Sequence, residues 1–140
     1  MYQFVKAFFA AVISAIAANS IILYIARPMV IDPAMPLHAL SLFPVVSLTA
    51  IGGIAATSVY AVMRSTMRSP NKAYIWISVI ALIISFVPDY MIIGMTSGPF
   101  AGATLPSALV LMLMHIAAAV CIVLSLTNIW GARSQPHVSM

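Results

Sequence analysis

The chain has 140 residues, 64% of them hydrophobic, and eight formal charges, six from Lys and Arg and two from Asp and Glu, for a net charge of +4. A water-soluble domain has about a quarter of its residues charged, so 6% excludes a soluble globular surface. Apolar runs of about 20 residues consume nearly all the length, so the expected architecture is all-α: a single four-transmembrane-helix bundle over residues 1–140.

The first apolar run covers residues 7–26, enough to cross a hydrocarbon core of about 30 Å at 1.5 Å per residue. Ala15-Ile16-Ala17 after Lys6 resembles a signal-peptidase site. The run continues through Ile21-Ile22-Leu23-Tyr24-Ile25, however, longer than a usual signal-peptide core, so a retained span is expected. Residues 27–42 form a loop punctuated by Pro28, Pro33 and Pro36 and carrying Arg27, Asp32 and His38. The second span is 43–63. A short basic loop with Arg64, Arg68 and Lys72 follows, and Ser69-Pro70 supplies a cap and a first-turn proline for the third span, 73–94. A loop with Gly98, Pro99 and Gly102 leads to the fourth span, 105–130, which is long enough to tilt. Transmembrane strands are excluded because the runs are continuously apolar, whereas barrel strands alternate.

With four spans, Lys6, Arg64, Arg68, Lys72 and Arg133 share one side and Arg27 stands alone on the other. The positive-inside bias predicts a multi-pass protein of the plasma (inner) membrane with both termini cytoplasmic. Tyr2, Phe4, Tyr60, Tyr74, Trp76 and Trp130 are expected in an inner aromatic belt, and Tyr24, Phe43, Tyr90 and Phe100 in an outer one. The net positive charge therefore belongs beside anionic lipid, and no nucleic-acid partner is expected. Cys121 is the single cysteine, which excludes a dithiol redox enzyme. No zinc spacing, Gly-rich phosphate loop, HExxH or GxSxG occurs, and neither a cofactor nor a metal is expected.

In lipid, helices associate by close packing and interhelical hydrogen bonds, so small residues mark contact faces. Ala7, Ala11, Ala15 and Asn19 form such a stripe on the first helix. Thr49, Gly53 and Thr57, beside Gly52, Ala56 and Tyr60, form one on the second, with Gly52, Gly53 and Ala56 as the packing residues. Ser78, Leu82, Ser85 and Asp89 share a face of the third, and Ala108, Met112, His115 and Ala119 one of the fourth.

Asp89 is the most informative residue. It enters the third span near its outer end, where an ionised carboxylate must face the bundle or water, because it costs about 2.5 to 3.5 kcal/mol at a helix centre. Pro88 removes a backbone donor and frees the carbonyl of Ile84, predicting a kink there. Asp89 reads either as a proton- or cation-binding carboxylate or as a structural acid paired with Arg27 or a neighbouring helix. His115, near the midplane, reads as a proton switch or as a hydrogen-bonded packing element. Asn19 and Thr49 lie at comparable depth, so Asn19, Thr49, Asp89 and His115 can converge, with Asp89 and His115 as a coupled pair. Arg27, Asp32 and His38 of the outer loop are candidates for an external contact.

Leu42-Phe43-Pro44-Val45-Val46 leading into Ile51-Gly52-Gly53, then Ser85-Phe86-Val87-Pro88-Asp89, then Leu113-Met114-His115-Ile116-Ala117-Ala118-Ala119 resembles a family of small bacterial four-helix membrane proteins catalogued as a domain of unknown function. The resemblance spans the first helix through the fourth. It implies a bacterial plasma-membrane protein with no assigned reaction, and points to Pro88, Asp89 and His115. The leading expectation is a non-enzymatic structural or interaction module, with the lipid bilayer and a homo-oligomer or another membrane protein as partners. The alternative is a small transporter or proton-linked permease using Asp89 and His115. One His and one Asp supply too few groups to specify an enzyme reaction.

Overall fold

The computed structural model describes residues 2–30 and 38–130, whose regular structure is entirely helical. Helix α1 is Tyr2–Val30, α2 is Leu42–Thr66, α3 is Pro70–Met91, and α4 is Leu105–Leu124, continued by a π-helical stretch Ser125–Trp130. Each is long and apolar enough to cross a membrane. Asp32 and Arg133 lie outside the described residues, as do Pro33 and Pro36.

Helices α1, α2 and α3 all differ in their bounds from the sequence expectation, α2 running on through Arg64 to Thr66 and α3 starting early enough to include Lys72, so that of the basic loop residues only Arg68 lies between helices. Helix α1 runs past the apolar stretch at both ends, so Arg27 is not a loop residue but stands in the last helical turn, where a cation meets the negative end of the helix dipole. Pro28 sits in that same turn, where it withholds one donor from the Tyr24 carbonyl just before the helix ends. Helix α3 stays α-helical through Pro88 and ends at Met91, three residues earlier than the apolar run. Ser69 is its N-cap residue, but the hydroxyl makes no capping bond. The first turn instead begins on Pro70, whose absent N–H needs no partner.

Residues 92–104 form a tightly specified loop. Gly94, Gly98 and Gly102 all have φ near +80°, a left-handed conformation open to glycine at little steric cost. Gly94 N–H donates to Ala103 O (3.0 Å) and Gly102 N–H to Met95 O (2.9 Å), pairing the two arms of the loop. Ala39 N–H donates to Pro99 O (3.2 Å), tying the loop to the short 3-10 turn His38–Leu40 before α2. At the start of α4, Ser107 Oγ accepts the Thr104 N–H at 2.8 Å, satisfying one donor of the helix entry.

The helices alternate in direction. Ala7, Ala11, Ala15, Tyr60, Met63, Tyr74, Ile122 and Leu126 make one buried cluster, at the end that also carries Lys6, Arg64, Arg68 and Lys72. Leu23, Leu40, Val45, Ile92, Ala103 and Met114 make a second cluster at the opposite end, under the 92–104 loop. We call these the basic end and the loop end. Helix α1 lies between α2 and α4, and α3 rests mainly on α4. Helices α2 and α3 meet only sparsely, which leaves that side of the bundle open.

The small-residue stripe of α1 is buried throughout, Ala7, Ala11, Ala15 and Asn19 all lying inside. On α2 the two adjacent glycines differ. A Cβ on Gly53 would lie 3.0 Å from Val12 Cγ2, so this residue permits the α1–α2 approach. Gly52 has nothing within 4 Å of such an atom and so packs against no other helix of the chain. Ala56 is half-buried against the basic-end cluster. On α4 the buried residues are Ser107, Ala108, Met114 and Ile122, so the expected stripe through Met112, His115 and Ala119 does not form the main seam. The helix is apolar all round, so its composition carries no mark of which face meets α1.

Two residues assigned to the aromatic belt are interior. Tyr60 and Tyr74 are buried, with rings edge to face at 4.8 Å. Tyr60 Oη donates to Asn71 Oδ1, and Tyr74 Oη donates to the Ala56 carbonyl at 3.3 Å, so α2 and α3 are joined at the basic end by hydroxyls that find partners inside. Tyr2, Trp76, Tyr24, Phe43 and Tyr90 are exposed, as lipid-interface residues should be.

The glycine pair gives a direct test. Gly53→Leu is expected to destabilise the bundle by about 1 to 3 kcal/mol through overpacking against Val12, and Gly52→Ala to leave it unchanged within error. Denaturation of the purified variants in bicelles compares the two; equal effects would contradict the α1–α2 seam.

Candidate functional site

Four polar side chains form two pairs in the loop-end half of the bundle, Asn19 with Thr49 and Asp89 with His115. Asn19 on α1 is buried at 5% exposure, and its Nδ2–H donates to Thr49 Oγ1 on α2 at 2.9 Å. Asn19 Oδ1 has no hydrogen-bond partner. Turning the amide over would only exchange which atom lacks one, since Thr49 can satisfy a single amide atom from its position.

Asp89 lies in the last turn of α3, with its side chain 9% exposed, and His115 on α4 approaches it, Nδ1 to Oδ2, at 3.0 Å. The same Nδ1 is 2.9 Å from the Leu111 carbonyl, one turn earlier on α4. Helical side chains lean toward the helix N-terminus, which is why the imidazole reaches the level of Leu111 rather than its own. The pair therefore sits about 9 Å along α4 from Leu105, six residues at 1.5 Å each. A carbonyl oxygen can only accept, so Nδ1 must carry a hydrogen and the neutral ring leaves Nε2 bare. Alignment with Leu111 leaves Oδ2 in close electrostatic contact with the ring but without an aligned hydrogen bond. Of the two partners expected for a structural acid, Arg27 or a neighbouring helix, Asp89 has the second, His115 of α4, while Arg27 is exposed on α1.

His115 is 44% exposed in its side chain, and two chambers share it. The first, about 210 Å³, lies among α1, α2 and α4 and is bounded by Asn19, Thr49, Gly52, Leu111, Met114 and His115. The second, about 240 Å³, is bounded toward the basic end by Gly52, Ala56, Tyr74, Ser78, Ser85 and His115. Gly52 and His115 are common to both, so they flank a waist between the chambers. The structure thus brings Asn19, Thr49 and His115 to one cavity, and Asp89 joins them through the imidazole. A further groove of about 200 Å³ between α3 and α4 has only Ser78 as a polar neighbour, and offers little beyond a surface for acyl chains.

The outer-loop candidates do not join this group. His38 is exposed in its 3-10 turn and lines a separate surface hollow with Met95 and Thr96, and Asp32 lies outside the described residues. Among the described residues no three His, Cys, Asp or Glu side chains gather at one point. Pro88 is exposed beside Asp89, in the final turn, where losing one donor leaves the rest of α3 intact. Gly52, expected from its spacing to pack between helices, lines both chambers instead. Leu111, Ser85 and Tyr74 were not singled out as site residues. The four-residue interval from Leu111 to His115 was the available signal for the first of them.

Residues 3–130 match the model of a family of unknown function, DUF6069. The chain belongs to that family. The match takes in all four apolar helices, the 92–104 loop and every member of the polar group, consistent with a small four-helix membrane domain. No curated protein and no solved structure matches the chain.

The Asn19–Thr49 contact makes a measurable claim. In a double-mutant cycle with Asn19→Leu and Thr49→Val, the coupling energy is expected near 0.6 kcal/mol and below about 1.7, the range found for interhelical hydrogen bonds in membranes. Reversible unfolding in bicelles measures it; zero coupling would mean that the two side chains do not bond.

Proposed function

We propose that this membrane protein is a small, non-enzymatic proton-linked permease of the bacterial plasma membrane, with the Asp89–His115 pair as its proton-exchange site. The observation that carries the reading is the fixed imidazole: Nδ1 is held between Leu111 O at 2.9 Å and Asp89 Oδ2 at 3.0 Å, which leaves Nε2 as the ring nitrogen available for proton exchange. An intramembrane carboxylate is costly and needs compensation, and an imidazole can donate, accept or carry a proton, so the pair joins two groups suited to passing one between them. Lys6, Arg64, Arg68 and Lys72 at one end of the bundle support placing that end, with the N-terminus, in the cytoplasm, and the 92–104 loop outside.

A second reading, an interaction module whose partner is another copy of this chain, is favoured by the open α2–α3 side and the uncovered Gly52. The two readings separate in reconstituted liposomes. With pyranine trapped inside and an inward proton gradient imposed, the wild type is expected to acidify the lumen well above the rate of protein-free vesicles. Asp89→Asn and His115→Ala are expected to fall to that background. Equal rates for all samples would remove the permease reading; a specific dimer lost on Gly52→Leu, measured by crosslinking in the same liposomes, would then favour the module.

A further inference from the structure

We propose that the groove between α3 and α4 binds one anionic glycerophospholipid from the leaflet at the basic end, with an acyl chain in the groove and the phosphate held by Lys72 and Arg68. This site is separate from the Asp89–His115 pair and does not depend on the proton-exchange reading. The groove, about 200 Å³, is walled by Ile75, Val79 and Leu82 of α3 and by Val120, Val123 and Leu124 of α4, and the surface it presents is wholly apolar. It is smaller than the roughly 300 Å³ at which drug-sized sites begin, so it suits a single hydrocarbon chain.

Helical register places a charge at the mouth of the groove. Helix α3 begins at Pro70, so Lys72 is in its first turn, and Lys72, Ile75, Val79 and Leu82 follow steps of three, four and three along one face. From Lys72 to Leu82 the helix rises about 15 Å, the depth of one leaflet in a hydrocarbon core of about 30 Å. Side chains lean toward the helix start, so the Lys72 stem runs away from the groove and carries its ammonium out to the level of the phosphates. Trp76, one helical turn further in, is exposed beside the same face, where an indole suits the boundary between headgroup and chain.

Charge complementarity selects the headgroup. Among the described residues the sole acid is Asp89, at the far end of α3 beside His115, so no carboxylate there stands at the basic end. Two of the cations at that end have neighbours within the chain, Lys6 lying over the Tyr2 ring at 4.4 Å and Arg64 beside the Tyr60 hydroxyl. Arg68, just before α3, and Lys72 are both exposed and meet no counter-charge among the described residues. A zwitterionic headgroup brings its own ammonium to its phosphate and offers these two cations no net charge. An anionic one, such as that of phosphatidylglycerol, neutralises them while its chain occupies the groove below.

The test follows Trp76 in the full chain carrying Trp130→Phe, which leaves it the only tryptophan. The protein is reconstituted in phosphatidylcholine vesicles that hold a small fraction of either phosphatidylglycerol or phosphatidylcholine brominated in its acyl chains, and quenching of Trp76 by bromine gives their relative affinity. Phosphatidylglycerol is expected to be preferred about fivefold or more at low salt, the ratio for roughly 1 kcal/mol, the attraction of one basic residue to an anionic headgroup. Arg68→Gln with Lys72→Gln is expected to bring the ratio to about one. Val79→Phe, which fills the groove and moves the lipid off Lys72 with both cations in place, is expected to cut the preference at least by half. Ile77→Phe, comparably exposed but outside the groove, is expected to keep it. Both positions lie on the exposed surface of α3, so the unfolding midpoints are expected to stay in place. A wild-type ratio near one, or a preference kept by the double charge variant, would overturn the proposal. A preference unchanged in Val79→Phe would also overturn it, since attraction between a basic surface and anionic lipid at large needs no groove.

Discussion

Lipid tails are as apolar as leucine, so burying hydrocarbon against hydrocarbon cannot hold these helices together, and close approach has to do so instead. Ala7, Ala11, Ala15 and Asn19 on α1, with Gly53 on α2, provide that approach, and the 3.0 Å spacing between Val12 Cγ2 and a Cβ at Gly53 shows how little room remains. Because α1 is in contact with both α2 and α4, this one seam determines where the two sides of the polar site stand. Asn19 belongs to the same stripe as the alanines, one turn beyond Ala15. The packing that brings α1 and α2 together is therefore also what brings its amide to Thr49.

Helix α3 is held differently. At the basic end, Tyr60 and Tyr74 bond across to Asn71 and the Ala56 carbonyl, and at the loop end Asp89 meets His115. Between these attachments α3 turns an exposed apolar surface to the lipid and leaves α2 largely uncovered. A helix fixed at two polar points, with an opening between them, gives a bundle whose least occupied region lies beside its only described acid. The glycine-specified loop from residue 92 to 104 adds a constraint on height, since its three left-handed residues and paired arms set how far the end of α3 stands below the start of α4.

Much of this was legible in the sequence, and the limits have a single physical cause. Span number, the alanine stripe of α1 and the suspicion attached to Asn19, Thr49, Asp89 and His115 follow from hydropathy, residue size and the cost of polar groups in lipid. Rotation about each helix axis does not. A soluble helix betrays its inward face by putting polar residues on the other, but in lipid both faces are apolar, so Gly52 and Gly53 look alike and only one touches α1. Tyr60 and Tyr74 were read as belt residues for the same reason: depth suits a tyrosine hydroxyl at the interface, and only the fold reveals Asn71 and the Ala56 carbonyl as interior partners. On α4 the ambiguity is greatest, because α1 and α3 flank it and two faces of one apolar helix are both in use.

The depth of the Asp89–His115 pair has an electrical side. At the level of Leu111 it lies about 9 Å from the first residue of α4, or about a third of the way through a core of roughly 30 Å. A unit charge crossing the whole membrane experiences about 2.3 kcal/mol per 100 mV, so a proton reaching His115 from the loop end experiences about a third of that, roughly 0.7 kcal/mol. Across a bundle that spans a membrane, the position of a single turn of α4 thus sets what share of the transmembrane voltage a charge beside Asp89 would experience.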